Sequence, residues 1–356
     1  MSEWLVYRGI GDPEPARMDS LRPPPPWRRF DGDPLDGVYD VPVIDSASER
    51  RLGKRPPLPT QDPRTVELVN AALYLRRPLL VTGDPGSGKS TLAHALAYEL
   101  GLGRVLQWPV VSRTELKTGL YQYDAIGRLQ DAQLNRSMAG TGTGTGTETE
   151  TGAGTGAGSP HDVSIGQYIR LGPLGTALLP MRRPRVLLID ELDKSDIDLP
   201  NDLLNVVEEG EFGIPELERV ADRPGQGTVD VLTDDGLRVP VTGGRIRCHA
   251  FPVIVMTSNG EREFPAPLLR RCIHLHLDPP RGDQLVAMVQ AHFGEGAEET
   301  NEDLLALFTT DDTGSPRPSD QLLNAIFLTH EVAGPGSPRR TELARLLMGS
   351  PNSGQR

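Results

Sequence analysis

Cysteine is almost missing from this chain: Cys248 and Cys272 are the two examples in 356 residues. That excludes a disulfide framework, and their spacing does not suit a zinc ligand set, so both read as ordinary reduced thiols. Aromatic residues make up only 5%, and no window approaches the roughly 18 to 20 consecutive apolar residues of a membrane-spanning helix. The opening stretch, MSEWLVYRGIGDPEP, lacks the basic and apolar regions of a secretory signal, so a cytoplasmic protein without a membrane span is expected. Positive charge is in deficit too. With 37 Lys and Arg against 49 Asp and Glu, the net charge of −12 disfavours a broad phosphate-backbone footprint and makes nucleic acid a poor candidate partner.

Proline is plentiful, with 33 residues, and it gathers early in RPPPPWRRF and KRPPLPTQDP. Repeated proline removes backbone donors and favours extended conformation, so residues 1–61 read as an arm or linker, with Trp27 and Phe30 available to dock it. From residue 62 the pattern alternates. TVELVNAALYL is helix-like, PLLVTG strand-like, and KSTLAHALAYEL helical again. Further nearly continuous apolar runs, RVLQWPV, RVLLID, FPVIVMTSN and CIHLHL, are of the kind that parallel sheets bury on both faces. The expected architecture is a doubly wound α/β domain over 62–280, then a helical domain over 281–350 and a short tail, 351–356. Two insertions interrupt the α/β domain. Residues 139–160, rich in Thr and Gly, cannot offset their ordering entropy and read as a disordered loop. Residues 228–247 alternate around Asp235-Gly236 and read as a β-hairpin, whose apolar face could serve a subunit contact.

GDPGSGKST, residues 83–91, falls between a strand and a helix, the context of a phosphate-binding loop. Gly83, Asp84, Pro85, Gly86, Ser87 and Gly88 form a turn whose backbone N–H groups can face an anion at a helix N-terminus. Lys89 would then reach the β and γ phosphates, and Ser90, followed by Thr91, would meet Mg²⁺. Near residue 190, RVLLIDELDKSD places Asp190 and Glu191 at a strand end. Asp190 suits the metal shell and Glu191 suits a general base acting on water, which points to hydrolysis. Asn259, closing the strand FPVIVMTSN, could orient that water or simply form a turn before Gly260. No guanine-reading segment is evident, so the nucleotide expected is ATP.

GDPGSGKST, LLIDELDKSD, TSNGEREFPAPLLRRC and GSPRPSD, in this order, resemble an AAA+ ATPase, and LGPLGTALL with DLPNDLLNVVEEGEF looks like the MoxR branch. The resemblance covers about residues 62–350. It implies a P-loop NTPase fold with a C-terminal α-helical lid, Walker A at 83–91, Walker B at 186–191, Asn259 as sensor 1 and Arg317 as the sensor 2 arginine. LLRRC then falls where such proteins place an arginine finger, with Arg271 aligning best and Arg270 the alternative. A homo-oligomer, commonly a hexameric ring, and a client protein bearing a von Willebrand factor A domain are also implied. KTGLYQYDAIGRL, residues 117–129, lies where a pore loop would be, although buried tyrosines explain the same letters. Two functions fit: a machine that remodels or assembles partners through ATP turnover, or an ATP-gated assembly switch with slow, resetting hydrolysis.

Overall fold

The computed structural model describes residues 4–35, 46–53, 61–140, 164–309, 317–334 and 336–348. Its strands are β1 (Leu79–Thr82), β2 (Leu106–Pro109), β3 (Tyr121–Tyr123), β4 (Ile169–Leu171), β5 (Val186–Asp190), β6 (Glu211–Gly213), β7 (Thr228–Leu232), β8 (Arg238–Thr242), β9 (Arg245–Arg247), β10 (Val253–Ser258) and β11 (Ile273–His276). The apolar runs β1, β2, β5, β10 and β11 make one sheet in the order β11-β1-β10-β5-β2, with every pairing parallel. Helices cover both faces, which is why Leu79, Leu80, Val81 and Val186 through Ile189 are all buried.

Register decides what the sheet presents. Thr82 pairs with both Ser258 and His276, and Pro109 with Asp190, so the strands end together along one edge. The strand β10 lies between β1 and β5, which carries Asn259 to a place between the phosphate-loop strand and the acidic strand end.

A second, four-stranded sheet runs β3-β4-β7-β8. The expected hairpin is its β7–β8 pair, but its apolar face is covered within the chain. Val229, Val231, Val239 and Val241 are buried in the same core as Leu171 and Tyr121. A buried ion pair, Arg185 to Asp235 at 2.8 Å, ties the hairpin turn to the start of β5. The alternation therefore serves intramolecular packing and leaves little for a subunit contact on that face.

Of the two readings of residues 117–129, the structure has the buried one around Tyr121. Leu120 and Tyr121 are buried, the Tyr121 hydroxyl donates to Glu216 at 2.8 Å, and a Cβ at Gly119 would lie 2.5 Å from the Trp108 ring. These residues belong to the core. The following helix, Ala125–Gly140, does expose Ile126 and Leu129, and it takes in Ala139 and Gly140, the first residues assigned to the disordered insert. The rest of that insert, and the 351–356 tail, lie outside the described residues.

The largest departure is at the N-terminus. Residues expected to form an arm or linker are packed into the α/β domain. Val6, Tyr7 and Met18 are buried beside Val69, Leu73 and Leu96. Asn70 accepts hydrogen bonds from the backbone of Val6 and Tyr7, and Glu99 accepts four from Arg8, Gly9, Ile10 and Gly11. The aromatic anchor is Phe30, stacked on Phe251 with a ring separation of 4.9 Å, whereas Trp27 is exposed. Glu99 also accepts from the buried Arg17 guanidinium at 3.1 Å. Glu99→Ala should thus strand four backbone donors and leave the buried Arg17 with Glu14 as its remaining carboxylate partner, costing about 3–5 kcal/mol. A urea titration of both proteins measures this, and an unchanged midpoint would show that the segment is dispensable.

Beyond β11, the helices Asp283–Phe293, Glu302–Thr309, Ser319–Val332 and Pro338–Met348 enclose a core of their own around Leu285, Val289, Leu322 and Ile326. Their amphipathic pattern buries one stripe each. Among the described residues, no helix is long and apolar enough to cross a membrane.

Candidate functional site

A cavity of about 950 Å³ opens at the common edge of the parallel strands, between the α/β domain and the helical lid. Strand β1 leads into the 83–91 loop, and the helix Lys89–Glu99 begins immediately after it, so the helix N-terminus faces the cavity. The lid reaches the loop directly. Ser319 Oγ donates to the Gly86 carbonyl at 2.7 Å, and a Cβ on Gly86, whose φ is +80°, would lie 2.6 Å from Pro318 Cα. Only glycine allows that approach in that conformation.

Lys89 is buried, and its ammonium donates to the carbonyls of Gly83 and Asp84 at 2.7 and 2.8 Å. Burial pushes its pKa down, while Asp193, Asp84, Asp190 and Glu191 oppose that shift. Ser90 Oγ and Thr257 Oγ1 both donate to Asp190 Oδ1 at 2.7 Å. Glu191 stands in the left-handed region at φ +60°, a strained position for a non-glycine residue. Its backbone N–H donates to Thr257 Oγ1 at 2.8 Å. Its two carboxylate oxygens are divided: Oε2 accepts from Lys194 at 2.7 Å and Oε1 from the Asn259 amide at 3.4 Å. The sequence-picked Lys89, Ser90, Asp190, Glu191 and Asn259 thus line one cavity.

Arg317 is not part of that lining. Its guanidinium donates to the Leu307 carbonyl at 3.1 Å within the lid, while its neighbours Pro318 and Ser319 do face the cavity. Arg270 and Arg271 are farther still. They precede β11, whose first residue pairs with Leu79 at the start of β1, so they sit at the opposite edge of the sheet. About 13 Å of strand separates that edge from the phosphate loop. Arg271 donates to Glu208 at 3.1 Å and to the Pro267 carbonyl at 3.1 Å, and Arg270 is exposed.

Three cavity features escaped the sequence reading. Asp193, buried, accepts from the backbone N–H groups of Asn259 and Glu261 at 2.9 and 3.0 Å and so sets the position of Asn259. Its place in LLIDELDKSD, three residues past Asp190, was the available signal. Thr257 bridges Asp190 and Glu191 from the neighbouring strand. Arg51 comes from the segment expected to be a linker, and its guanidinium lies 4.0 Å from Asp190 Oδ2.

The donor set fits a magnesium nucleotide. Ser87 Oγ is buried in the loop without a hydrogen-bond partner, as suits a hydroxyl awaiting an anion. Among the described residues no group of three or more His, Cys, Asp or Glu could cage a metal, whereas Mg²⁺ at a nucleotide needs only one or two protein oxygens. Ser90 and Asp190 offer those. No curated protein matches the chain. The family model described as the AAA domain of the dynein-related subfamily matches residues 78–272, which is more than half of the chain. That span runs from the first residue before β1 to Cys272 and takes in every residue of the phosphate loop, the acidic strand end and the arginine pair; the chain belongs to this AAA family of ATP-hydrolysing P-loop proteins.

Proposed function

We propose that the protein is a MoxR-type AAA+ ATPase that hydrolyses ATP at the interfaces of a ring and uses turnover to remodel or assemble partner proteins. The observation that carries this reading is the division of charged groups between two sheet edges. Lys89, Asp190, Glu191 and Asn259 converge at one edge, and Arg270 and Arg271 stand at the other, out of reach of their own cavity. A second subunit placed with its arginine edge against the cavity would complete the site, which makes a closed ring the economical assembly.

Each group has a distinct task in this reading. Backbone N–H groups of the 83–91 loop and the Lys89 ammonium hold the phosphates. Ser90 and Asp190 hold Mg²⁺, which when bound supplies charge neutralisation on the phosphate oxygens. Glu191 accepts the proton of the attacking water, with Lys194 fixing one carboxylate oxygen and Asn259 the other. Asp193 holds Asn259 in register. The Ser319–Gly86 contact joins the lid to the loop, so that a change at the phosphates can move the lid. The MoxR assignment is supported by LGPLGTALL, whose Leu174, Leu178 and Leu179 are buried beneath the sheet, and by DLPNDLLNVVEEGEF, which forms the helix Asp198–Glu209 and β6. A client with a von Willebrand factor A domain is part of the proposal on that resemblance.

The test is a trap. Glu191→Gln should bind ATP without turnover, so a tagged variant should assemble into rings and retain its client in ATP but not in nucleotide-free buffer. Assembly and bound proteins that are identical with and without ATP would overturn the remodelling role. Rings that form with ATP but hold no client would favour an assembly switch instead.

A further inference from the structure

The residues Ser46–Gly53 lie across the nucleotide cleft as a strap. Ser48 is buried, with Oγ 2.9 Å from Nδ1 of His94 on the phosphate-loop helix, and His94 Nε2 is 3.2 Å from the Gln107 amide on β2. Leu52 is buried against Ala95 and Tyr98 of the same helix. At the other end, Gly53 meets the lid. A Cβ there would lie 2.3 Å from the Ala291 carbonyl oxygen. The strap therefore touches the phosphate-loop helix and the first lid helix, and His94 links its Ser48 contact onward to β2. Between these anchors, Arg51 is pointed into the cavity beside Asp190.

The Arg51–Asp190 separation of 4.0 Å is too long for a hydrogen bond. Arg51 is also about one-third exposed, so the pair itself adds little to stability. Charge balance gives the guanidinium another task. The cavity floor carries Asp190 and Glu191, with the buried Asp193 behind them, and Lys194 is engaged by Glu191. Of the other Lys and Arg side chains that line the cavity, Arg50 and Arg281 are exposed to solvent, so Lys89 is the buried cation that would face the several negative charges of a polyphosphate. An arginine fork is suited to phosphate oxygens, and it binds them through charge-assisted hydrogen bonds. We propose that Arg51 is a second phosphate-binding cation of the site, acting in the same subunit as Lys89 and delivered by the Ser46–Gly53 strap. This rests on the nucleotide-site reading above.

Equilibrium binding of ATP and of adenosine to the full chain, by calorimetry, tests it. Arg51→Ala should weaken ATP by about tenfold to a hundredfold and leave adenosine unchanged, because the lost contact is to phosphate. Arg51→Lys should recover part of the loss, keeping the charge without the fork. The nucleotide-free melting temperature of Arg51→Ala should stay within about 2 °C of the unsubstituted protein. Two results overturn the inference: ATP binding within about twofold of the unsubstituted protein, or a loss of ATP, adenosine and melting temperature together, which would make Arg51 a fold residue. Lys89→Ala separates the levels. If the unsubstituted chain binds no ATP, or Lys89→Ala binds it equally well, the site reading falls and takes this inference with it. If Lys89→Ala alone loses ATP, the site stands and only Arg51 is wrongly assigned.

Discussion

Arg271→Ala should lower the ATPase rate by about 10³- to 10⁵-fold, the usual worth of an arginine finger, while ATP affinity stays nearly unchanged. The reason is positional. Arg271 stands at the opposite sheet edge from Lys89 and Glu191, held by Glu208 at 3.1 Å and by the Pro267 carbonyl. It is out of reach of its own cavity, so in the proposed ring it would act on a neighbour's site. Mixing Arg271→Ala with Glu191→Gln subunits should therefore restore activity at interfaces that join an intact Glu191 to an intact Arg271. Steady-state ATPase assays on mixtures whose co-assembly is verified by crosslinking make the measurement. A mixture no more active than its parents would sink the trans assignment. Turnover kept in Arg271→Ala but lost in Arg270→Ala would transfer the role to the exposed neighbour.

Glu191→Gln and Lys89→Ala should both be inactive, for separable reasons. Lys89→Ala removes a buried ammonium that now satisfies two loop carbonyls and would face the phosphates, so ATP binding should fall below detection. Glu191→Gln keeps the loop and the Asp190–Ser90 pair intact and removes only the proton acceptor, so binding should persist while turnover falls by about 10²- to 10⁴-fold. Calorimetric ATP binding beside single-turnover hydrolysis resolves the two. Equal loss of affinity in both variants would contradict the separate roles of binding and proton transfer.

The motifs were readable because each depends on a few adjacent residues. The loop GDPGSGKST carries its own turn chemistry, and an apolar strand ending in Asp190-Glu191 must place those carboxylates at the sheet edge. The N-terminal segment was not readable for the opposite reason. Its proline content suggests a solvated arm, yet its order comes from partners far along the chain: Asn70 for Val6 and Tyr7, Glu99 for Arg8 to Gly11, and Phe251 for Phe30. Such side chain-to-backbone bonds leave no periodic pattern. Tyr121 stayed open for another reason: an aromatic in a plausible pore position reads the same whether exposed or, as here, buried with its hydroxyl on Glu216.

By itself, then, the sequence determined the parallel α/β domain, the C-terminal helical domain, and the place of Lys89, Ser90, Asp190 and Glu191 at one sheet edge, since local turn chemistry and hydrophobic period suffice for these. Asn259 as more than a turn former rested on the family resemblance. Only the tertiary structure decided that Arg51 belongs to the cavity, that Asp193 positions Asn259, that Arg317 turns toward Leu307, and that the hairpin's apolar face is covered. Each of those depends on which surfaces meet when the sheet, the N-terminal segment and the lid pack together. Long-range packing of that kind is set by the whole core at once, and no short stretch of residues encodes it.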